Sequence, residues 1–282
     1  MRAKSSNPTA GPPRPVKGRS ILRAFPLVAL ISLLCLPAAA AEESPSLPLK
    51  TATRHPMQYH LALPAGWTAQ KTWPVVVVIP DATRDFSGNA AAFVRARKDR
   101  PFIIVAPHVL TCGGTNYRAA DSYHYTDAVW QEAERVGTFR FDAEGIAAVV
   151  ADVHQLYGGE EKYFLTGWEA GGHTVWAMIF QHPDALRGAA PVTSNYLGRW
   201  TTEANFSTSA TRTRLAVRVF FCGVVPDELK TGWNHLRDQT NEAIRTAEAH
   251  GFGPIPLVVV EGKPHGPLAD EVLTYFSSLL PR

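Results

Sequence analysis

An apolar run at Lys162–Thr166 leads without a spacer into Gly167-Trp168-Glu169-Ala170-Gly171-Gly172-His173, and an apolar helical pattern continues from Gly171 to His182. Glycines on both sides of Glu169 permit a turn too sharp for residues carrying a Cβ. A strand that turns at once into a helix projects one side chain from its carboxyl end. Here that side chain is a glutamate. Such a unit belongs in a parallel sheet, whose strands are joined by crossover helices.

The surrounding pattern agrees. Val75-Val76-Val77-Val78-Ile79 and Phe102-Ile103-Ile104-Val105-Ala106 are continuous, mostly β-branched runs of the kind buried on both faces of a parallel sheet. Met57–Leu63 alternates like an edge strand. Leu186–Thr193, Leu215–Cys222 and Pro256–Val260 read as further strands. Helices are expected over Asn89–Arg97, Asp142–Tyr157, Thr231–His250 and Pro267–Leu280, with Asp142 as an N-cap. His108–Tyr125 reads as a loop, and Ser194–Arg214 shows no periodicity. The expectation is an α/β fold with a mostly parallel central sheet and helices on both faces.

The amino-terminal 41 residues follow other rules. Six basic residues between Arg2 and Arg23 precede an apolar stretch from Ala24 to Pro37, and Ala38–Ala41 offers a small-residue cleavage site. This pattern predicts a signal peptide over 1–41, hence a secreted or periplasmic protein. The apolar stretch is shorter than the roughly 20 residues of a spanning helix, so a membrane anchor is the weaker reading. A flexible lead-in is expected over 42–56, and one domain over 57–282. The leader holds six of the 28 Lys and Arg residues and none of the 25 Asp and Glu, which leaves 22 basic against 25 acidic residues. The basic excess therefore belongs to targeting and gives no reason to expect a nucleic-acid partner. Beyond the leader there are two cysteines, Cys112 and Cys222. An oxidising compartment would permit a disulfide between them, and two buried free thiols are the alternative.

The strand order and the motifs Tyr163-Phe164-Leu165-Thr166-Gly167, Ala170-Gly171-Gly172, His182-Pro183-Asp184 and Ala189-Ala190-Pro191-Val192 resemble the α/β-hydrolase superfamily. Within it, the chain resembles secreted esterases of the polyhydroxybutyrate-depolymerase and feruloyl-esterase type. The resemblance spans Met57 to the carboxyl terminus. It implies a nucleophile–acid–histidine order, which falls on Glu169, Asp227 and His265. Asp227 follows a late strand, with Glu228 as a substitute acid, and His265 precedes the closing helix. Ordinary turn and loop roles compete for Asp227 and His265.

Two parts of the pattern depart. Glutamate replaces the nucleophilic serine, and Ser194 has no comparable turn around it. The oxyanion segment, usually His-Gly followed by small residues, reads Pro80-Asp81-Ala82. Proline cannot donate a hydrogen bond, which leaves the N–H groups of Ala82 and Ala170 to do so. Three roles for Glu169 follow. It is a carboxylate nucleophile served by His265 and Asp227, a base or ligand anchor in a pocket with Asp81 and Trp168, or a structural anion at a helix N-terminus. Trp200, Tyr196 and Trp233 are further candidates for stacking on a ligand ring. No cofactor or metal is expected, and the ligand is a small molecule or polymer of unstated kind.

Overall fold

The structure is a computed structural model that describes residues 47–114, 118, 120–225 and 230–281, all within one compact unit. Nine strands form one sheet: β1 (Leu49–Thr51), β2 (Gln58–Ala62), β3 (Val75–Ile79), β4 (Ile103–Pro107), β5 (Tyr163–Trp168), β6 (Leu186–Val192), β7 (Ala216–Val217), β8 (Val219–Cys222) and β9 (Leu257–Val260). Their order is β1-β2-β4-β3-β5-β6-β8-β9, with β7 beside β6. β1 and β2 are antiparallel to their neighbours and the remaining pairs are parallel. In the centre, Val77 lies between Val105 of β4 and Leu165 of β5. The fully buried residues of β3 and β4 account for their unbroken apolar runs.

Among the described residues six α-helices complete the unit: α1 (Phe86–Arg97), α2 (Asp127–Val136), α3 (Thr138–Tyr157), α4 (Gly171–Gln181), α5 (Lys230–Ala249) and α6 (Ala269–Ser278). Side chains alternate along β5, so its neighbours show which face each helix covers. Phe164 stacks on Phe276 of α6 at 4.6 Å, while Gly167, on the opposite face, lies under Val175 of α4. α1 packs with α6. Helices therefore cover both faces.

From β3 the chain crosses to β4 on one side, then returns to β5 on the other. The crevice beyond the carboxyl ends of β3 and β5 is thus a topological switch point, where open α/β sheets bind ligands. Pro80–Ala82 leaves one strand there and Glu169 leaves the other.

The structure changes several sequence expectations. The sheet begins inside the expected lead-in: β1 pairs with β2, and Thr53 donates from its N–H and hydroxyl to Asp152 Oδ2 at 2.7 and 3.0 Å. α1 starts three residues before Asn89 because the Asp85 carboxylate accepts from Gly88 N at its N-terminus. α2 occupies a stretch between the expected loop and the expected helix from Asp142. Asp142 is not an N-cap. α3 extends back to Thr138, burying Phe139 and Phe141, and Asp142 lies inside it. The Asp142 carboxylate instead accepts from Leu110 N, Thr111 N and Thr111 Oγ1 at 2.7–2.9 Å, fastening the loop after β4. The expected strand Leu215–Cys222 is split at Arg218, whose guanidinium lies over Tyr275. The disulfide is absent. Both thiols are buried and free, Cys112 donating to Val109 O and Cys222 to Gly266 O. The proposed leader, residues 1–41, lies outside the described residues.

Candidate functional site

The turn after β5 has the tight geometry that its glycines anticipate. Glu169 sits at φ +48°, in the left-handed region that side chains rarely adopt. Surrounding bonds hold it there. Its N–H donates to Val192 O at 3.1 Å, and its carbonyl accepts from Gly172 N at 3.0 Å and Asn195 N at 2.9 Å. Gly171 is required by close approach, since a Cβ there would lie 2.4 Å from Pro80 O and 2.9 Å from Ile79 O. The turn is therefore pressed against the end of β3.

That approach brings the altered segments together. The Ala82 N–H, the first donor of the oxyanion segment, donates to Glu169 Oε2 at 3.1 Å. Glutamate's extra methylene lets the carboxylate reach back to a donor that a serine hydroxyl would leave for its substrate. Asp81 does not join this bond. Its Oδ1 accepts from Thr83 N at 3.3 Å and Thr83 Oγ1 at 2.5 Å, closing a local turn. Ala170 is buried at the start of α4.

His265 comes from the loop between β9 and α6. Its ring lies edge-on between two indoles, Trp168 at 5.1 Å and Trp233 at 5.4 Å. Burial holds its pKa below the ordinary histidine value, with Glu169 and then Asp81 pulling the other way. The ring is therefore neutral at pH 7, and no ion pair joins it to Glu169 among the described residues. Its Nδ1 is buried without a hydrogen-bond partner there. The proposed acid Asp227 and its substitute Glu228 lie outside the described residues.

Glu169, Ala82, Asp81, Trp168, Ala170 and His265 thus converge at the switch point. Of the other aromatics, Trp233 touches His265. Tyr196 packs beside Trp176 and Phe180 in the core, and Trp200 stacks on Phe139 at 6.3 Å. Ser194 is fully buried and its Oγ accepts from Trp176 Nε1 at 2.9 Å, which removes it as a nucleophile.

Sequence reasoning passed over Asn89. It lines a cavity of about 300 Å³ beside Trp168 and Asp81, and neither Asn89 Oδ1 nor Nδ2 has a partner among the described residues. A polar residue among the alanines of a helix was the available signal. No group of three or more His, Cys, Asp or Glu that could hold a metal ion occurs among the described residues.

No family model matches the chain, and no curated protein matches it in sequence. Solved structures do match. Poly(aspartic acid) hydrolase-1 from Sphingomonas sp. KT-1 is 15% identical with a TM-score of 0.52, over 83% of this chain and 97% of that one. A siderophore hydrolase from Aspergillus nidulans is 15% identical with a TM-score of 0.50, over 88% of this chain and 97% of that one. A thermostable esterase is 14% identical with a TM-score of 0.50, over 83% of this chain and only 62% of that longer one. Likeness at this identity is one of architecture. The chain has the α/β-hydrolase fold, and its structural neighbours are esterases and other hydrolases.

Proposed function

We propose that this chain is an exported, ligand-binding protein on the α/β-hydrolase fold that does not carry out acyl transfer. The observation carrying this reading is the 3.1 Å bond from Ala82 N to Glu169 Oε2. In acyl transfer a donor at this position stabilises the charge developing on the tetrahedral oxygen, and losing one such donor costs about 2.7–4 kcal/mol of barrier. Here a permanent carboxylate occupies the donor, so a substrate oxyanion would meet both an engaged N–H and a like charge. The turn also offers no hydroxyl. The crevice that remains combines Glu169, Asp81, Trp168 and a neutral His265, a set suited to holding a small molecule or the end of a polymer. Export rests on the basic and apolar pattern of residues 1–41.

The same bond favours a second reading. With Oε2 held by Ala82, Oε1 is left free to attack a saturated carbon. The new C–O bond would form as the carbon–halogen or epoxide C–O bond breaks, its electron pair leaving with the halide or alkoxide. A water deprotonated by His265 would then hydrolyse the ester.

A turnover screen of the mature protein on esters, lactones, epoxides and haloalkanes, beside Glu169→Gln, tests both readings. The binding reading expects no turnover above background from either protein. Wild-type turnover that disappears in Glu169→Gln would establish the second reading and overturn the first.

A further inference from the structure

The cavity beside the crevice lies under the first turns of α1, lined by its N-cap Asp85 and by Gly88, Asn89 and Ala92 at helical spacing. Trp168 and Pro267 form the facing wall. Asn89 is 7% exposed, yet among the described residues both polar atoms of its carboxamide lack a partner, and so does the buried indole Nε1 of Trp168. Buried polar atoms are nearly always paired, so three unpaired ones on two residues that line a single cavity point to a partner supplied from outside the chain.

The chemistry of that partner follows from what the walls offer. Asn89 Nδ2 and Trp168 Nε1 are donors and need an acceptor on the ligand. Asn89 Oδ1 is an acceptor and needs a donor. Asp81 and Asp85 each use Oδ1 locally, on Thr83 and on Gly88 N, and each has a second oxygen that takes no hydrogen bond from a described residue. Among the described residues no Lys, Arg or His lines the cavity, and Arg84 is turned away to Gly114 O at 3.0 Å. Asp85 offsets the positive end of α1, while Asp81, with Glu169 beyond it, leaves the cavity negative. The Trp168 indole face is suited to a cation. About 300 Å³ holds roughly ten water-sized groups, enough for one sugar ring.

We infer that this cavity binds an organic ammonium group carrying a neighbouring hydroxyl, as in an amino sugar or amino alcohol. The ammonium is set against Asp81 and Asp85, and the hydroxyl meets the Asn89 carboxamide and the Trp168 N–H. The inference rests on reading the crevice as a ligand site and adds the class of ligand.

Calorimetric titration of the mature protein with glucosamine, glucose and N-acetylglucosamine tests it. Glucosamine is expected to bind at least ten-fold more tightly than its two neutral counterparts. Asp81→Asn should weaken glucosamine at least about five-fold, and Asn89→Leu should abolish its binding. Thermal melting keeps the second variant interpretable. Removing an unpaired buried amide in favour of an apolar group of similar size should leave the melting temperature unchanged or raised. The inference is overturned if glucosamine does not bind, if glucose binds equally well, or if Asn89→Leu retains binding. Ester turnover dependent on Glu169 would instead defeat the non-catalytic reading while leaving glucosamine binding in place, so the two failures are distinguishable.

Discussion

Gly171→Ala separates close approach from helix propensity, because the two predict opposite signs. Gly171 is the first residue of α4, where alanine in open space would stabilise by up to about 1 kcal/mol. The space is not open. A Cβ would lie 2.4 Å from Pro80 O and 2.9 Å from Ile79 O, both backbone atoms that cannot rotate aside. Relieving that overlap requires α4 and the end of β3 to separate, at a cost typical of overpacking, about 1–3 kcal/mol. The expected net effect is destabilisation of roughly 1–2 kcal/mol, which for a domain of this size lowers the melting temperature by about 2–8 °C. Gly232→Ala is the control. Gly232 lies in α5 with nothing of the described residues within 4 Å of an added Cβ, so the same exchange should stabilise by about 0.5–1 kcal/mol. Differential scanning calorimetry of both variants reads the result. If Gly171→Ala melted at or above the wild type, the β3 end would not be pressed against the turn, and the contact that carries Ala82 to Glu169 would lose its support.

Three further outcomes follow from the packing. His108 and His173 are buried and held down to about 4, so the unfolded chain takes up their protons first; stability is full above pH 6.5 and is lost as pH falls towards 4, by about 3 kcal/mol for each. Burial pushes Asp142 up to about 7, and its protonation works the other way, leaving a net loss of about 3 kcal/mol that urea melts at pH 7 and pH 4 should show; equal stability at both would refute it. Asp142→Ala strands two buried backbone donors, Leu110 N and Thr111 N, at about 1–3 kcal/mol each, while the Thr111 hydroxyl keeps Thr174 Oγ1 as a partner; the cost in the same assay should be at least about 2 kcal/mol. Free-thiol titration without reductant should count Cys112 and Cys222 in the denatured mature chain and neither in the native one; finding none after denaturation would mean they are bonded.

The central strands were legible because β3 and β4 are buried on both faces, and only unbroken apolar runs satisfy that. The turn at Glu169 was legible from its glycines, which the backbone demands whatever the side chain between them does. α2 was legible in principle, since Val129, Trp130, Ala133 and Val136 fall at helical spacing, but it is short and lies between a loop pattern and the stronger repeat of α3. Asp142 imitated an N-cap by preceding an apolar repeat, but the helix had begun a turn earlier, and the carboxylate's true partners lie some 31 residues away in sequence. Distance in sequence also hid the two features on which function turns. The bond between Ala82 and Glu169 spans 87 residues, and the unpaired state of Asn89 is a property of its surroundings. Local patterns place elements and name candidate side chains. Which donor meets which acceptor is decided by tertiary packing.

The Ala82 amide proton reports most directly on whether the elbow carboxylate occupies the oxyanion donor. Its chemical shift in solution should move upfield in Glu169→Gln, where a charged acceptor becomes neutral, and further upfield in Glu169→Ala. An Ala82 amide insensitive to both Glu169 substitutions would show the donor to be free for a substrate, and the non-catalytic reading would fall with it.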